Sequence, residues 1–317
     1  KSNSKSFIMS NQAKHIDILK KLQEKYDAQS EDTENYLEGL LYGKSLTYWD
    51  YIHTDALLSL QTQRTTYPDE MVFIAYHQIN ELIFKMILWE ISQIADKKEL
   101  SRDFFESKLM RISRYFDMLT TSFNIMREGM DPKQYGKFRH TLTPASGFQS
   151  AQFRLIEFSS TELINLIDAR FRETIDMNTP FEHALEHLYW QAAGKDYKSG
   201  QKSSLLTNFE KRYKEEFITF MKTYNTKNLW LRFKDLPQKD QESKTLIKAM
   251  RHYDYTVNIT WVMAHYKAAT HYILGKEGNG EATGGSDWQK YMHPKYQKRI
   301  FFPELWTKEE KDNWGHQ

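Results

Sequence analysis

Met250 to Gly275 reads MRHYDYTVNITWVMAHYKAATHYILG, and Lys276 to Ser286, KEGNGEATGGS, follows it. The first run has the spacing of a helix and the second is a glycine-rich loop. His265 has Trp261 one turn before it and Ala268 and Ala269 one turn after it. Residues three and four apart share a helical face, so the imidazole stands beside a patch of alanine. A flat, wide ligand could lie on that face while the histidine reached its centre. A core histidine bonded through its second nitrogen accounts for this stretch as well, and is the commoner outcome.

Working outward, the same periodicity recurs along the chain. Thirteen glycines and seven prolines are few for 317 residues, and five of the glycines fall between Gly275 and Gly285. Long stretches without breakers favour helices over a many-turned sheet, and no β-alternation is sustained. The expectation is an all-α helical bundle. A frayed segment to about Ser10 precedes an amphipathic helix over Ala13–Glu31, and a short helix runs from Thr47 to Leu60. Pro68, Asp69 and Glu70 open a mostly apolar helix that should be buried. Leu100–Glu128 is a second long helix, with Phe105, Leu109, Ile112, Phe116, Leu119 and Phe123 at helical spacing; Gly129 and Pro132 end it. Helices are expected over Phe148–Ala169, Phe181–Ala193 and Leu205–Tyr224. The domain reading is an N-terminal arm and helix over 1–46 and one helical domain over 47–317, with a small helical insert at about 177–241.

Composition narrows the function. Forty-four basic residues balance forty-two acidic ones, for a net charge of +2. That argues against nucleic acid as a partner. Aromatic residues make up 15% of the chain, enough to build a sizeable core. Cysteine is absent, which excludes disulfides, thiolate nucleophiles and Cys-ligated zinc, iron–sulfur or haem sites. The Met71–Ile91 run is interrupted by His77, Gln78, Asn80, Glu81 and Lys85, so no membrane span is expected, and a cytoplasmic protein is the simplest reading.

Four further features carry possible chemistry. His183 and His187, in H-A-L-E-H, match an inverted zinc-hydrolase pattern, although a charged helix surface explains them as well. His77 shares a face with Phe73 and Glu81 and could bond a ligand from an apolar wall; a satisfied core histidine is the alternative. Tyr135 and Arg139, one turn apart, suit a carboxylate: bidentate from the guanidinium, with one more bond from the phenol. A surface arginine stacked on tyrosine is equally compatible. The glycine loop is no P-loop, lacking G-K-[ST] and a preceding strand; it is a flexible connection or a lid.

Several longer blocks carry a resemblance. Y-W-D-Y-I-H-T-D-A-L-L runs from Tyr48, D-E-M-V-F-I-A-Y-H-Q-I-N-E-L from Asp69, and F-R-H-T-L-T-P-A-S-G-F-Q-S-A-Q-F-R-L-I-E-F from Phe138. Trp261 and His265 form W-x-x-x-H, T-G-G-S begins at Thr283, and F-F-P-E-L-W begins at Phe301. Together they resemble the tryptophan 2,3-dioxygenase family, all-helical haem dioxygenases. The resemblance implies oxidative cleavage of the indole 2,3 bond of L-tryptophan by O2, giving N-formyl-L-kynurenine. It implies a b-type haem, ferrous when active, with His265 as proximal ligand and His77 bonding the indole N–H. Phe73 would wall the indole, Arg139 and Tyr135 would hold the carboxylate, and Thr283 would meet the amino-acid head group. Tyr48 and Tyr51 match tyrosines that reach into a neighbouring subunit's pocket, which implies a homotetramer.

The chain departs from the pattern at Trp49, where glycine is usual after the first tyrosine. It departs again at Ala282, Asp287 and Trp288 in the glycine loop, and at Thr143 before Pro144. The first two departures bear on pocket wall and lid, so a haem oxygenase acting on another indole or aromatic amino acid is the alternative enzyme. A haem sensor without turnover is the alternative of another class; it has no need of Arg139 and Tyr135.

Overall fold

The computed structural model describes residues 2–142, 147–176, 178–274 and 292–316, with side chains from residue 12 onward. Among these residues there is no strand, only two isolated bridges, Ile167 to Leu188 and Lys195 to Lys202. The all-α expectation holds. The chain forms two compact units, 1–60 and 61–317.

The first unit begins with α1 (Ser2–Asp27) and α2 (Thr33–Tyr42). Helix α1 starts earlier than the expected Ala13. Tyr26 stacks on Tyr36 at 4.1 Å, and the Asp32 carboxylate caps α2 through the Glu34 N–H at 2.9 Å. The helix expected from Thr47 to Leu60 is two pieces, α3 (Tyr48–Ile52) and α4 (Thr54–Leu58). His53 separates them in the left-handed region, φ 57°, a conformation that stops a helix.

The second unit holds α5 (Asp69–Ala95), α6 (Arg102–Glu128), α7 (Pro132–Arg139), α8 (Ala151–Ser160), α9 (Phe181–Leu185) and α10 (Ser204–Tyr224). It continues through α11 (Leu229–Lys234), α12 (Gln238–Gln241), α13 (Lys244–Tyr255), α14 (Trp261–Ile273), α15 (Pro294–Gln297) and α16 (Lys308–Asp312). Helix α5 starts where Pro68, Asp69 and Glu70 predict. The buried Glu70 carboxylate accepts the Arg64 and Thr65 N–H groups at 2.8 and 2.7 Å, tying the preceding loop to the first turn. By length and composition α5 could cross a membrane, contrary to the expectation from its interruptions. Here it packs Ile83, Phe84, Ile87, Ile91 and Ile94 into the protein core.

Helix α6 is capped by the Ser101 hydroxyl and stops at Gly129. Its apolar stripe from Phe105 to Phe123 is buried throughout, as the spacing demands. Each such fully buried side chain contributes roughly 1.5–3 kcal/mol. Helices α5, α6, α8 and α13 close around one main core, to which Leu185, Trp190, Phe209, Phe217, Trp230 and Phe233 of the 177–241 stretch also belong.

Two expected helices are shorter than their patterns. The one expected to reach Ala169 ends at Ser160. Ser159 and Ser160 turn their hydroxyls back to the Ile156 carbonyl, Ser160 also meets the Tyr253 hydroxyl at 2.7 Å, and the extended Thr161 bonds the Phe301 carbonyl. Such side-chain bonds compete with helix continuation. The helix expected over Phe181–Ala193 breaks at Leu188, because the Asp168 N–H takes the His187 carbonyl at 2.9 Å.

Helices α13 and α14 are joined by a π-helical turn, Thr256–Thr260, that periodicity did not reveal. Asn258 in this turn donates to Asp254 at 2.6 Å and accepts from Arg299. Around it lies a buried polar cluster. Asp254 accepts the Phe301 and Phe302 N–H groups at 2.9 and 3.0 Å and the Trp306 indole N–H at 2.9 Å. Arg299 pairs with Glu157, and Tyr189 donates to Glu157 at 2.5 Å. These bonds hold the 299–306 strap against the π turn, five residues before His265.

Candidate active site

A second, smaller apolar cluster sits where α5, α6, α7 and α14 meet. It consists of Tyr76, Phe123, Met126, Met130, Ala268 and Tyr272, with Val72, Phe73, Tyr135, Trp261 and Ala264 packed against it. Two histidines border it.

His77 lies on α5 because Phe73, Tyr76 and His77 follow one another around a single turn. Its ring lies 4.1 Å from that of Phe73 and 5.4 Å, edge to face, from Tyr76. His77 Nδ1 is 2.7 Å from the Phe73 carbonyl. A carbonyl only accepts, so Nδ1 carries the proton and Nε2 is left as an acceptor when the ring is neutral. The side chain retains exposed surface, yet burial by surrounding protein lowers its pKa, opposed by the Phe73 bond and the Glu81 charge. Glu81, one turn on, accepts the Ser150 hydroxyl at 2.7 Å and the Gln152 amide at 2.9 Å, which fixes the start of α8 to α5.

His265 is half-buried on α14. Phe123 stacks on its face at 5.3 Å and 12°. A Cβ on Gly147 would sit 3.6 Å from His265 Cε1, so the Gly147–Gln149 turn brings backbone against the ring's edge. Burial, then the nearby His77, pushes the His265 pKa down to about 4. The imidazole is therefore a neutral, lone-pair-bearing group at ordinary pH. Ala268 is not an open floor: it is buried in the small cluster, while Ala269 is half-buried.

Helix α7 begins at Pro132, with the Asp131 carboxylate accepting the Lys133 N–H at 2.9 Å. It is helical through Arg139, so Tyr135 and Arg139 do lie one turn apart on one face. Arg139 is buried. Burial raises the Tyr135 pKa and the Arg139 charge opposes the rise, which places the guanidinium near the phenol. Tyr135 lies 6.2 Å from Phe73 and 4.3 Å from Tyr272, ring to ring.

Phe73, His77, Tyr135, Arg139 and His265 thus come together from three helices. Tyr48 and Tyr51 lie in the first unit, 72% and 70% exposed, beside Trp49 at 58%. Thr283, Ala282, Asp287, Trp288, Thr143 and Pro144 lie outside the described residues. Phe123 and Tyr272 were not singled out by sequence; at helical spacing they read as ordinary core.

The H-A-L-E-H stretch does not assemble a zinc centre among the described residues. His187 Nδ1 faces the His183 carbonyl at 2.9 Å, and Glu186 is engaged by Lys195 and Lys202 at 3.2 and 3.5 Å. No group of three or more His, Asp or Glu able to hold a metal ion occurs among the described residues.

Residues 38–178 match the family model described as tryptophan 2,3-dioxygenase. A tryptophan 2,3-dioxygenase of Ruegeria sp. (strain TM1040) is 38% identical over 118 residues, 37% of this chain and 42% of the relative. One of Bradyrhizobium diazoefficiens is 36% identical over 136 residues, 42% of this chain and 46% of the relative. These two matches span less than half the relatives' length. One of Bacillus thuringiensis subsp. konkukian is 28% identical over 282 residues, 84% of this chain and 92% of the relative, a span long enough to include both His77 and His265. Over these stretches the chain is similar to tryptophan 2,3-dioxygenases, and three helices deliver the histidines, arginine and tyrosine expected from that resemblance to one place.

Proposed function

We propose that the protein is a haem-dependent dioxygenase that opens the indole 2,3 bond of L-tryptophan with O2 to give N-formyl-L-kynurenine. The observation that carries this reading is the pairing of two neutral histidines, from α5 and α14, beside a buried arginine–tyrosine pair on α7.

The donor set fits a haem. A bare metal ion would need several protein ligands, which the described residues do not gather. A porphyrin supplies four nitrogens of its own and asks the protein for one axial lone pair. His265, neutral and reached by backbone at Gly147, is the residue that would hold it. Ferrous haem supplies O2 binding and the redox chemistry.

The chain's own residues then bind and orient the substrate. His77 offers Nε2 as an acceptor, because Nδ1 is committed to the Phe73 carbonyl. An acceptor suits the indole N–H, a donor with no acceptor capacity. Phe73 supplies the apolar wall beside it. Arg139 takes the substrate carboxylate in a charge-assisted pair, strong because the guanidinium is already buried. Tyr135, its phenol held protonated by burial, donates one further bond. Gripping both ends of the amino acid would fix the position of the indole ring in the site. Thr283 completes this assignment as a contact to the head group.

We assign a homotetramer with pockets shared between subunits. Leu41, Tyr42, Leu46, Tyr48, Trp49, Tyr51 and Leu58 of the first unit are all more than half exposed. So many exposed large apolar side chains within 41–58 are unusual for a chain that functions alone. On α5, Ile79, Leu82, Met86 and Trp89 form a second exposed stripe at seven-residue repeats, the spacing that helices use to pack on one another.

The test is direct. Haem-loaded, reduced protein is mixed with L-tryptophan and air, and absorbance of N-formylkynurenine is followed. Product formation is expected. An intact Soret band without that product assigns the site to another indole or aromatic amino acid. Light scattering at micromolar concentration is expected to report four chains; a single chain overturns the tetramer.

A further inference from the structure

One polar group beside the two histidines is not used by the chemistry above. Tyr272 stands on α14, seven residues beyond His265, with its ring buried. Its hydroxyl donates to the Met126 carbonyl and lies 3.4 Å from that of Met130. The Met126 oxygen is one of the last four of α6, which have no partner inside the helix. The Gly129 N–H takes the Ile125 carbonyl at 3.0 Å, and Tyr272 serves the next one.

The turn that Tyr272 grips is the turn that launches α7. The Asp131 N–H donates to the Asp69 carboxylate at 2.6 Å, and the Asp69 N–H donates to the Gln134 side chain at 3.2 Å. The starts of α5 and α7 are thereby tied together. Tyr272 sits close enough to both aspartates and to Tyr135 that their charges, after burial, help push its hydroxyl up to about 12. It is a permanent donor at any working pH. Its ring lies 4.3 Å from that of Tyr135, the phenol of the carboxylate clamp, against which Phe138 also packs, edge-on at 5.4 Å.

We propose that Tyr272 is a positioning residue for the carboxylate end of the substrate, bracing the helix of His265 against the helix of Tyr135 and Arg139. The inference rests on the functional reading above. Tyr272 acts through Tyr135 and the direction of α7. Loss of its hydroxyl leaves the ring packed and frees the turn at Met126–Met130. The clamp then loosens while the two histidines stay in place.

Tyr272→Phe holoenzyme is compared with the parent for haem content, kcat and KM for L-tryptophan. The calorimetric dissociation constants of L-tryptophan and of 3-methylindole, which has no carboxylate, are measured alongside. Expected is a KM raised at least fivefold, kcat within twofold, full haem content, and 3-methylindole affected less than twofold. Tyr253→Phe is the structural control. It removes another buried phenol bond, to Ser160, in the main core. It is expected to lower the unfolding temperature and leave KM unchanged. A KM within twofold of the parent for Tyr272→Phe, or an equal rise in Tyr253→Phe, overturns the proposal. A parent that binds L-tryptophan while the variant binds it equally well refutes only the brace. A parent that neither binds nor converts it refutes the functional reading as well.

Discussion

Two buried polar regions of the second unit lie one π turn apart and are built on opposite terms. Around Asp254, Glu157 and Arg299, charge is answered by charge and by directed donors: the Asp254 carboxylate alone accepts four bonds. Around His77 and His265 there is little polar answer. Aromatic faces surround the rings, and burial keeps both imidazoles neutral. A group saturated by its own protein has nothing left for a ligand, and holds the fold. A group stripped of water but given few partners keeps an unused lone pair, and that is where a ligand gains most.

The contrast can be broken at its strongest point first. Arg299→Met leaves Glu157 buried with its main cationic partner gone, and is expected to destabilise the fold by about 3–5 kcal/mol; urea unfolding measures it. His265→Ala should instead leave the fold intact and abolish haem binding, read as loss of the Soret band on titration with haem. Normal haem affinity in that variant would remove His265 as the axial ligand. Arg139→Ala should weaken L-tryptophan binding by roughly 2–5 kcal/mol without changing the Soret band, as seen in substrate titrations. His77→Ala should keep haem and slow turnover by about tenfold, the worth of one hydrogen bond near 1.4 kcal/mol; unchanged kcat and KM would show that Nε2 bonds nothing that matters.

The pH response separates the regions last and most gently. In haem-free protein, His265 titrates near 4 when folded and near 6.5 when unfolded. Between those values the unfolded chain binds the extra proton, so stability falls as pH drops from about 6.5 to 4, then levels. His265→Gln should flatten that slope in acid unfolding curves. Asp254 runs the other way. Burial, opposed by its four donors, raises its pKa above the usual carboxylate value, so its contribution to stability improves on acidification.

Much of the fold is legible in the sequence because its signals are local. The α6 stripe, its stop at Gly129 and the start of α5 at Pro68, Asp69 and Glu70 all depend on residues within a turn or two of one another. The π turn was not legible, because it depends on Arg299, forty-one residues away from Asn258. The early end of α8 was likewise set by Phe301 and Tyr253. For the site, periodicity alone could not tell His77 or His265 from core histidines. The motif blocks around them carried the reading, and the helices then brought them together. Tyr272 lay outside every block, and an aromatic on the inward face of a helix gives no sign that its hydroxyl has a task.

The π turn at Thr256–Thr260 has a consequence for how this chain tolerates change. A helix turns about 100° per residue, so the one residue that this turn takes in beyond an α-turn sets the rotational phase of everything after it. His265 points where it does by count as much as by contact. A single-residue deletion there could leave every helix intact and well packed at α13, yet swing the imidazole about a quarter-turn away from His77. Insertions and deletions in this short window should therefore be far more damaging than substitutions, a pattern that a deletion scan from Tyr255 to Trp261 would expose.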